Sequence, residues 1–123
     1  MDSTKNIIDF IRYGYSKEKL YFSFNGEFKN LKNNAILKLF INNQEFEFPI
    51  LAGLQNMILN EIQVIVFCLH DNIEIEIPQK DIIGKNINFK FSLINNNIII
   101  QKFPLYKDFI IKIEDLNLRN WYI

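Results

Sequence analysis

The sequence predicts an all-β fold, an antiparallel sandwich of two sheets built from nine or ten short strands. Apolar and polar side chains alternate with period two in most segments, as in the Ile-Glu-Ile-Glu-Ile run at 73–77, which is typical of strands with one buried face. Residues that favour turns separate these segments at intervals of about 8–12 residues. With 123 residues, 49% of them apolar, the chain is expected to form a single domain over residues 1–123.

Two hairpins are predicted in the first half of the chain. A charged turn at 16–19 joins the strands of the first, and Asn42-Asn43 joins those of the second, because asparagine tolerates the positive φ of a tight turn. Residues 27–32, between the hairpins, are predicted to be a loop. The four strands span residues 7–15 and 20–25, then 35–41 and 45–48.

The segment 49–60 leaves two alternatives open. Its leucines and isoleucines are partly helix-spaced, so a short helix near 51–60 is one prediction. Gly53 weakens a helix, and no clear capping residue precedes the segment. An irregular strand that crosses between the two sheets is therefore the other prediction.

The second half of the chain is predicted to be strands throughout. Residues 63–69 are apolar on both faces, which is typical of a central strand that is covered on both sides. Residues 72–78 and 87–93 are expected to form a central hairpin region, joined by a loop around Gly84. The last strands are predicted at 98–103, 109–113 and 119–123, and Trp121 lies on the alternating pattern of the final one.

Composition argues against several classes of function. Fourteen basic and fourteen acidic residues cancel, whereas a duplex-binding protein normally carries a basic face, so no nucleic-acid partner is expected. No apolar run reaches the length of a membrane span or of a signal-peptide core. We therefore expect a cytoplasmic chain with no membrane partner. Cys68 is the only cysteine, which excludes an internal disulfide framework.

No catalytic set emerges from the sequence. Cys68 and His70 are two residues apart, which on a strand would place a thiol beside a base. A lone cysteine is more often a small buried hydrophobe, so we interpret Cys68 as core and His70 as a turn residue. Serines occur in no glycine-flanked elbow. The chain is therefore expected not to be an enzyme.

Two pairs of carboxylates share a strand face, Glu45 with Glu47 and Glu74 with Glu76. Glycosidase carboxylates must flank the scissile bond from opposite sides, which neighbours on one strand face cannot do. We interpret both pairs as solvated strand faces that discourage edge-to-edge aggregation. The spacing of His, Cys, Asp and Glu suggests no zinc site, and turn chemistry explains the Asn and Asp residues better than calcium does. No metal or cofactor is expected.

Aromatic residues with polar tips are the candidate binding residues. They can stack against a sugar ring, or they can close the rim of the sandwich. Tyr13 and Tyr15 share strand parity, so their rings could lie side by side. The candidate carbohydrate-binding residues are Tyr13, Tyr15, Tyr21, Trp121 and Tyr122.

Several segments, in their order and spacing, resemble the C-terminal β-sandwich of glycoside hydrolase family 57, the amylase and α-glucan-processing group. That domain is similar to the DOMON-like, jelly-roll-like and carbohydrate-binding module family 9-like folds. The segments that carry the resemblance are Tyr13-Gly14-Tyr15 with Leu20–Phe24, Ile73–Pro78 with Ile82-Ile83-Gly84, then Ile87–Leu93, Gln101–Pro104 and Leu118–Ile123.

The resemblance implies a non-catalytic accessory domain that contacts an α-glucan or oligosaccharide. The catalytic Glu and Asp of the family belong to a separate barrel domain, which nothing in this chain matches. The chain also departs from the family at Gln101-Lys102, where an acidic residue commonly precedes the aromatic-Pro pair. The alternative is a structural or protein-interaction sandwich that packs on a partner glycosidase or forms a homodimer.

Overall fold

The computed structural model describes residues 6–31, 34–79 and 84–114. Ten strands lie in these residues, and they form two antiparallel sheets that face each other. The strands are β1 (Ile8–Tyr15), β2 (Lys19–Gly26), β3 (Ile36–Ile41), β4 (Gln44–Pro49), β5 (Gly53–Leu59), β6 (Ile62–Leu69), β7 (Asn72–Pro78), β8 (Asn86–Asn95), β9 (Ile98–Phe103) and β10 (Phe109–Lys112).

The first sheet has the strand order β1-β2-β7-β6-β5. In the second sheet, β4, β3 and β8 lie side by side, and both β10 and β9 pair with the far edge of β8. Phe103 of β9 pairs with Phe91, and Phe109 of β10 pairs with Phe89, which lies only two residues away on β8. Residues 104–108, between β9 and β10, therefore lie outside the ladder. The all-β sandwich predicted from the sequence is confirmed.

Aromatic and branched aliphatic side chains from both sheets form one core. Ile73, Ile75 and Ile77 are at most 2% exposed, as the alternation of β7 predicts. The rings of Phe22 in the first sheet and Phe89 in the second stack with centroids 4.6 Å apart. Such pairs stabilise beyond the area that they bury, so they hold the two sheets together.

Both hairpins of the first half are confirmed. β1 pairs with β2, and β3 pairs with β4 across Asn42, whose φ is +56°. The backbone amide and the side-chain oxygen of Asn42 also bond to the backbone of Asn88 in β8. Within the predicted loop after β2, Phe28–Asn30 form one 3-10 turn, and Phe28 is buried.

The prediction of a short helix near 51–60 is wrong, because β5 is a regular strand there. β5 pairs along its whole length with β6, from Gly53 opposite Cys68 to Leu59 opposite Ile62. The chain leaves the second sheet after β4 and enters the first sheet at β5. The other alternative, an irregular strand that crosses between the sheets, holds only in part: the segment is a strand, but it is regular and lies within the first sheet, and the chain crosses between the sheets before it, at residues 50–52. Pairing with β6 outweighs the weak helical spacing.

The central hairpin region predicted at 72–78 and 87–93 is also wrong. β7 lies between β2 and β6 in the first sheet, whereas β8 lies beside β3 in the second. The two strands contribute to the same core from opposite sheets, because each presents an alternating apolar face that needs a covering layer.

The prediction that 63–69 is covered on both sides holds for only one face. Val64, Val66 and Cys68 of β6 are buried, but Leu69 on the other face is 45% exposed. Ile65 and Phe67 on that face are half-buried. The outer face of the first sheet is therefore more apolar than a solvated sheet face requires. The predicted strand at 119–123 lies outside the described residues.

Candidate functional site

A cleft of about 450 Å³ crosses the outer face of the first sheet. It is built from side chains on four neighbouring strands, each of which alternates with a residue of the core. Strand pairing sets these side chains in two rows. One row is Gly14, Tyr21, Glu76 and Ile65, and the other is Arg12, Ser23, Glu74 and Phe67.

Local sequence explains why each of these side chains faces outward. On β2, Tyr21 and Ser23 lie between the buried residues Leu20, Phe22 and Phe24. On β1, a bulge at Asp9 interrupts the pairing with β2. A bulge inserts one residue and so reverses the alternation, which turns Phe10 and Arg12 outward while Ile8 stays buried.

A hydrogen-bond network fixes the polar side of the cleft. Lys19 Nζ donates to Glu76 Oε2 at 3.0 Å. Ser23 Oγ donates to Asn72 Oδ1 at 2.9 Å, and Asn72 Nδ2 donates to Glu74 Oε2 at 3.0 Å. The hydrogen bond that Lys19 donates to Glu76, together with the negative charge of that carboxylate, raises the pKa of Lys19, so this lysine remains a cation at neutral pH. Both carboxylates are thus held in place with oxygens left for further donors.

Arg12 marks the end of the cleft at β1. Its guanidinium carbon lies 5.1 Å from the centroid of the Phe10 ring, a cation–π contact that restricts the side chain without using its N–H donors. The cleft therefore offers donors from Arg12, acceptors from Glu74 and Glu76, and the aromatic rings of Tyr21 and Phe67. This combination suits a ligand that has both hydroxyl groups and an apolar face.

Of the three predicted binding residues that the structure describes, Tyr21 is the one whose side chain shares the outward face with the carboxylates. Tyr13 and Tyr15 lie on the inner side of β1, because they pair with the buried residues Phe22 and Leu20. Tyr15 belongs to the core, and its hydroxyl accepts a hydrogen bond from the amide of Glu114 at 3.4 Å.

Tyr13 packs edge-to-face against Phe109, with ring centroids 6.3 Å apart. Tyr13 and Tyr15 therefore do not form a shared outward platform. Trp121 and Tyr122, the other two candidates, lie outside the described residues.

Sequence reasoning missed Arg12, Ile65 and Phe67, and it interpreted Glu74 and Glu76 only as a solvated face. The parity of Tyr21 with Ser23, and of Glu74 with Glu76, was visible in the sequence. The missing information was the strand order, which places β7 beside β2 and β6 beside β7.

A second cavity, of about 810 Å³, opens between the edge of β1 and the edge formed by β9 and β10. Its lining is largely aromatic and aliphatic and includes Phe103 and Phe109. Gln101 spans the opening: its side-chain oxygen accepts hydrogen bonds from the amides of Ile7 and Ile8, and its nitrogen donates to the Ile8 carbonyl. The polar atoms of Gln101 are therefore committed to joining the sheets.

Cys68 and His70 do not form a thiol–base pair. Cys68 is 2% exposed and its side chain lies in the core, and burial raises the pKa of its thiol. His70 is exposed in the turn after β6, where its carbonyl accepts hydrogen bonds from the amides of Phe28 and Lys29. The interpretation of Cys68 as core and His70 as a turn residue is confirmed.

No cluster of three or more His, Cys, Asp or Glu side chains that could hold a metal ion occurs in the ranges 6–31, 34–79 and 84–114. Within this described part of the chain, no helix is both long and apolar enough to cross a membrane.

No protein-family model matches the chain, and neither the curated proteins nor the solved structures contain a significant match. The resemblance to the C-terminal sandwich of glycoside hydrolase family 57 therefore stays a prediction.

Proposed function

We propose that this domain is a non-catalytic carbohydrate-binding module that takes an α-glucan-type oligosaccharide into the cleft on the outer face of the first sheet. The observation that carries the proposal is the presence of Tyr21 and Phe67 beside Arg12, Glu74 and Glu76 in one cleft. Sugars present apolar C–H faces that stack on aromatic rings, and hydroxyl rims that bond to charged side chains.

The arrangement favours binding over hydrolysis. Glu74 and Glu76 project from the same face of β7, so they approach a ligand from one side. The two carboxylates of a glycosidase must instead flank the bond that is cleaved. In the proposed complex, the carboxylates accept hydrogen bonds from sugar hydroxyls, Arg12 donates to hydroxyl or ring oxygens, and Tyr21 supplies the stacking face.

The volume of the cleft agrees with a short oligosaccharide. At about 450 Å³ it falls within the range of roughly 300–1,000 Å³ that is usual for small-molecule sites. Gly14 lies opposite Tyr21 in the strand register, and both residues line the cleft. The choice of an α-glucan rests on the resemblance to glycoside hydrolase family 57.

The proposal is tested by native electrophoresis in gels cast with glycogen or amylose, together with calorimetry using maltooligosaccharides. We expect retarded migration and measurable binding for the wild type. Tyr21→Ala should weaken binding by about five- to 150-fold, because loss of one stacking face corresponds to roughly 1–3 kcal/mol.

Tyr106→Ala is the matched control, since Tyr106 is 94% exposed and does not line the cleft. Its binding should equal that of the wild type. Absence of retardation together with absence of heat would contradict the proposal, as would equal losses in the two variants.

A further inference from the structure

β5 is an edge strand of the first sheet, and its sequence Gly-Leu-Gln-Asn-Met-Ile-Leu contains no charged residue and no proline. The other strands at sheet edges all carry charges. These are Asp9 and Arg12 on β1, Glu45 and Glu47 on β4, Lys102 on β9 and Lys112 on β10. Charged edge residues discourage pairing with another chain, and β5 lacks this protection.

Other edges are also covered by side chains, and β5 is not. Gln101 bonds to the β1 backbone at Ile8, and Asn60 Nδ2 donates to the Glu45 carbonyl of β4 at 2.7 Å. Among the described residues, the backbone of β5 hydrogen-bonds in a ladder only with β6. Its outward side chains Leu54 and Ile58 are 63% and 78% exposed. An uncharged edge with exposed apolar side chains is a template for strand addition.

We propose that β5 pairs antiparallel with β5 of a second copy of this chain, about a twofold axis at Asn56. This register places Leu54 of one copy opposite Ile58 of the other, and Asn56 opposite its own counterpart. The two apolar residues that are most exposed on β5 then cover each other twice, once on each side of the axis. Such cross-strand apolar pairs are a unit of sheet stabilisation.

Alternative registers are less complementary. Residues on the outer face of one strand must lie opposite residues on the outer face of the other. The sum of the two paired residue numbers can therefore change only by two at a time. In one neighbouring register Asn56 lies opposite Leu54, and in the other it lies opposite Ile58. In each case the second of these two apolar residues has no apolar partner on β5. The register centred on Asn56 is therefore favoured.

The partner is a second copy because the order of apolar and polar side chains along the outer face of β5 complements itself when two copies pair antiparallel. A twofold axis uses the same surface on both chains and closes the assembly at two. Positive and negative side chains balance over the whole chain at a net charge of zero, so no long-range repulsion opposes approach of identical copies. The apolar edge of β9 and β10 is less suited, since Lys102 and Lys112 of two copies would repel.

The dimer is tested by size-exclusion chromatography with light scattering over a range of protein concentrations. The wild type should show a mass twice that of the 14.7 kDa chain, and Ile58→Lys should return it to the monomer. Ile98→Lys is the matched control, because Ile98 is 64% exposed but lies on β9. This variant should remain dimeric. A monomeric wild type, or a dimer that persists in Ile58→Lys, would overturn the proposal.

A disulfide experiment tests the register without relying on loss of association. Asn56→Cys should form a covalent dimer on mild oxidation, because its two copies face each other at the axis. Leu54→Cys should not, since its copies would be about 13 Å apart along the strands. Cys68 is buried and does not compete. Equal cross-linking of the two variants, or none in either, would overturn the proposal, and neither result depends on carbohydrate binding.

Discussion

At the scale of single residues, the turns of this sandwich depend on positive φ angles. Asn42, Asn60, Asn96 and Asn97 adopt them, and so does Glu61, at +65°. In this region Cβ lies too close to the carbonyl oxygen that follows it. Asparagine offsets this cost because its short polar side chain bonds locally, whereas glutamate lacks such a local bond. Glu61 is thus the strained member of the Asn60-Glu61 turn, which joins β5 to β6.

Glu61→Gly is therefore expected to stabilise the domain by about 0.5 kcal/mol. Relief of the left-handed strain, roughly 1–2 kcal/mol, exceeds the added entropy of glycine in the unfolded chain, roughly 0.5–1 kcal/mol. The measurement is urea unfolding at constant m-value. Asn60→Gly is the control, and it should destabilise because the bond from Asn60 Nδ2 to the Glu45 carbonyl is lost. A less stable Glu61→Gly protein would contradict this account.

At the scale of secondary-structure elements, β1 and β9 belong to different sheets but are joined by Gln101. This side chain makes three hydrogen bonds of 2.8–3.0 Å: it accepts from the amides of Ile7 and Ile8 and donates to the Ile8 carbonyl. A carboxylate could accept from the two amides but could not donate to the Ile8 carbonyl, so the amide suits this contact better.

Gln101→Ala should lower the free energy of unfolding by about 1–3 kcal/mol, because part-buried amides lose their acceptor. Hydrogen exchange at the amide of Ile8 should accelerate, and that of Ile75 in the middle of the first sheet should change less. Gln101→Glu should fall between alanine and the wild type. Lys102→Ala, next to it and exposed, should stay within about 0.5 kcal/mol of the wild type. Unchanged exchange at Ile8 in Gln101→Ala would contradict the role given to this contact.

At the scale of the whole molecule, the aromatic core makes the two sheets one cooperative unit. Phe89 of the second sheet contacts the ring of Phe22 in the first, and it also contacts Phe91, Phe103 and Phe109 of its own sheet. A cavity at Phe89 would therefore weaken contacts in both layers at once.

Phe89→Ala is expected to destabilise the domain by about 3–5 kcal/mol. Fluorescence and far-ultraviolet circular dichroism should still report the same unfolding midpoint, since neither sheet has a core of its own. Phe10→Ala is the matched control: this ring is 48% exposed, and its loss should change stability by less than about 1 kcal/mol. Two separate transitions, one for each sheet, would show that the layers do not fold as a unit.

What the sequence by itself determined was local. Alternation placed Ile73, Ile75 and Ile77 in the core, and the Asn42-Asn43 turn located a hairpin, because a strand face and a turn depend on residues only a few positions apart. The resemblance to family 57 remains a prediction that neither the fold nor the comparisons test.

Beyond the two predicted hairpins, only the tertiary structure decided which strands are neighbours. It placed β7 and β8 in different sheets, and it placed edge strand β5 (Gly53–Leu59) within the 49–60 segment. It also directed Tyr13 and Tyr15 toward the inside of the sandwich, while Tyr21 faces the cleft. Alternation in the sequence predicts which residues lie on each face of a strand, but it does not predict which other strand pairs with it. Neighbours such as β2 and β7, or β3 and β8, are chosen by pairing and burial between residues far apart in the chain, which no local pattern records.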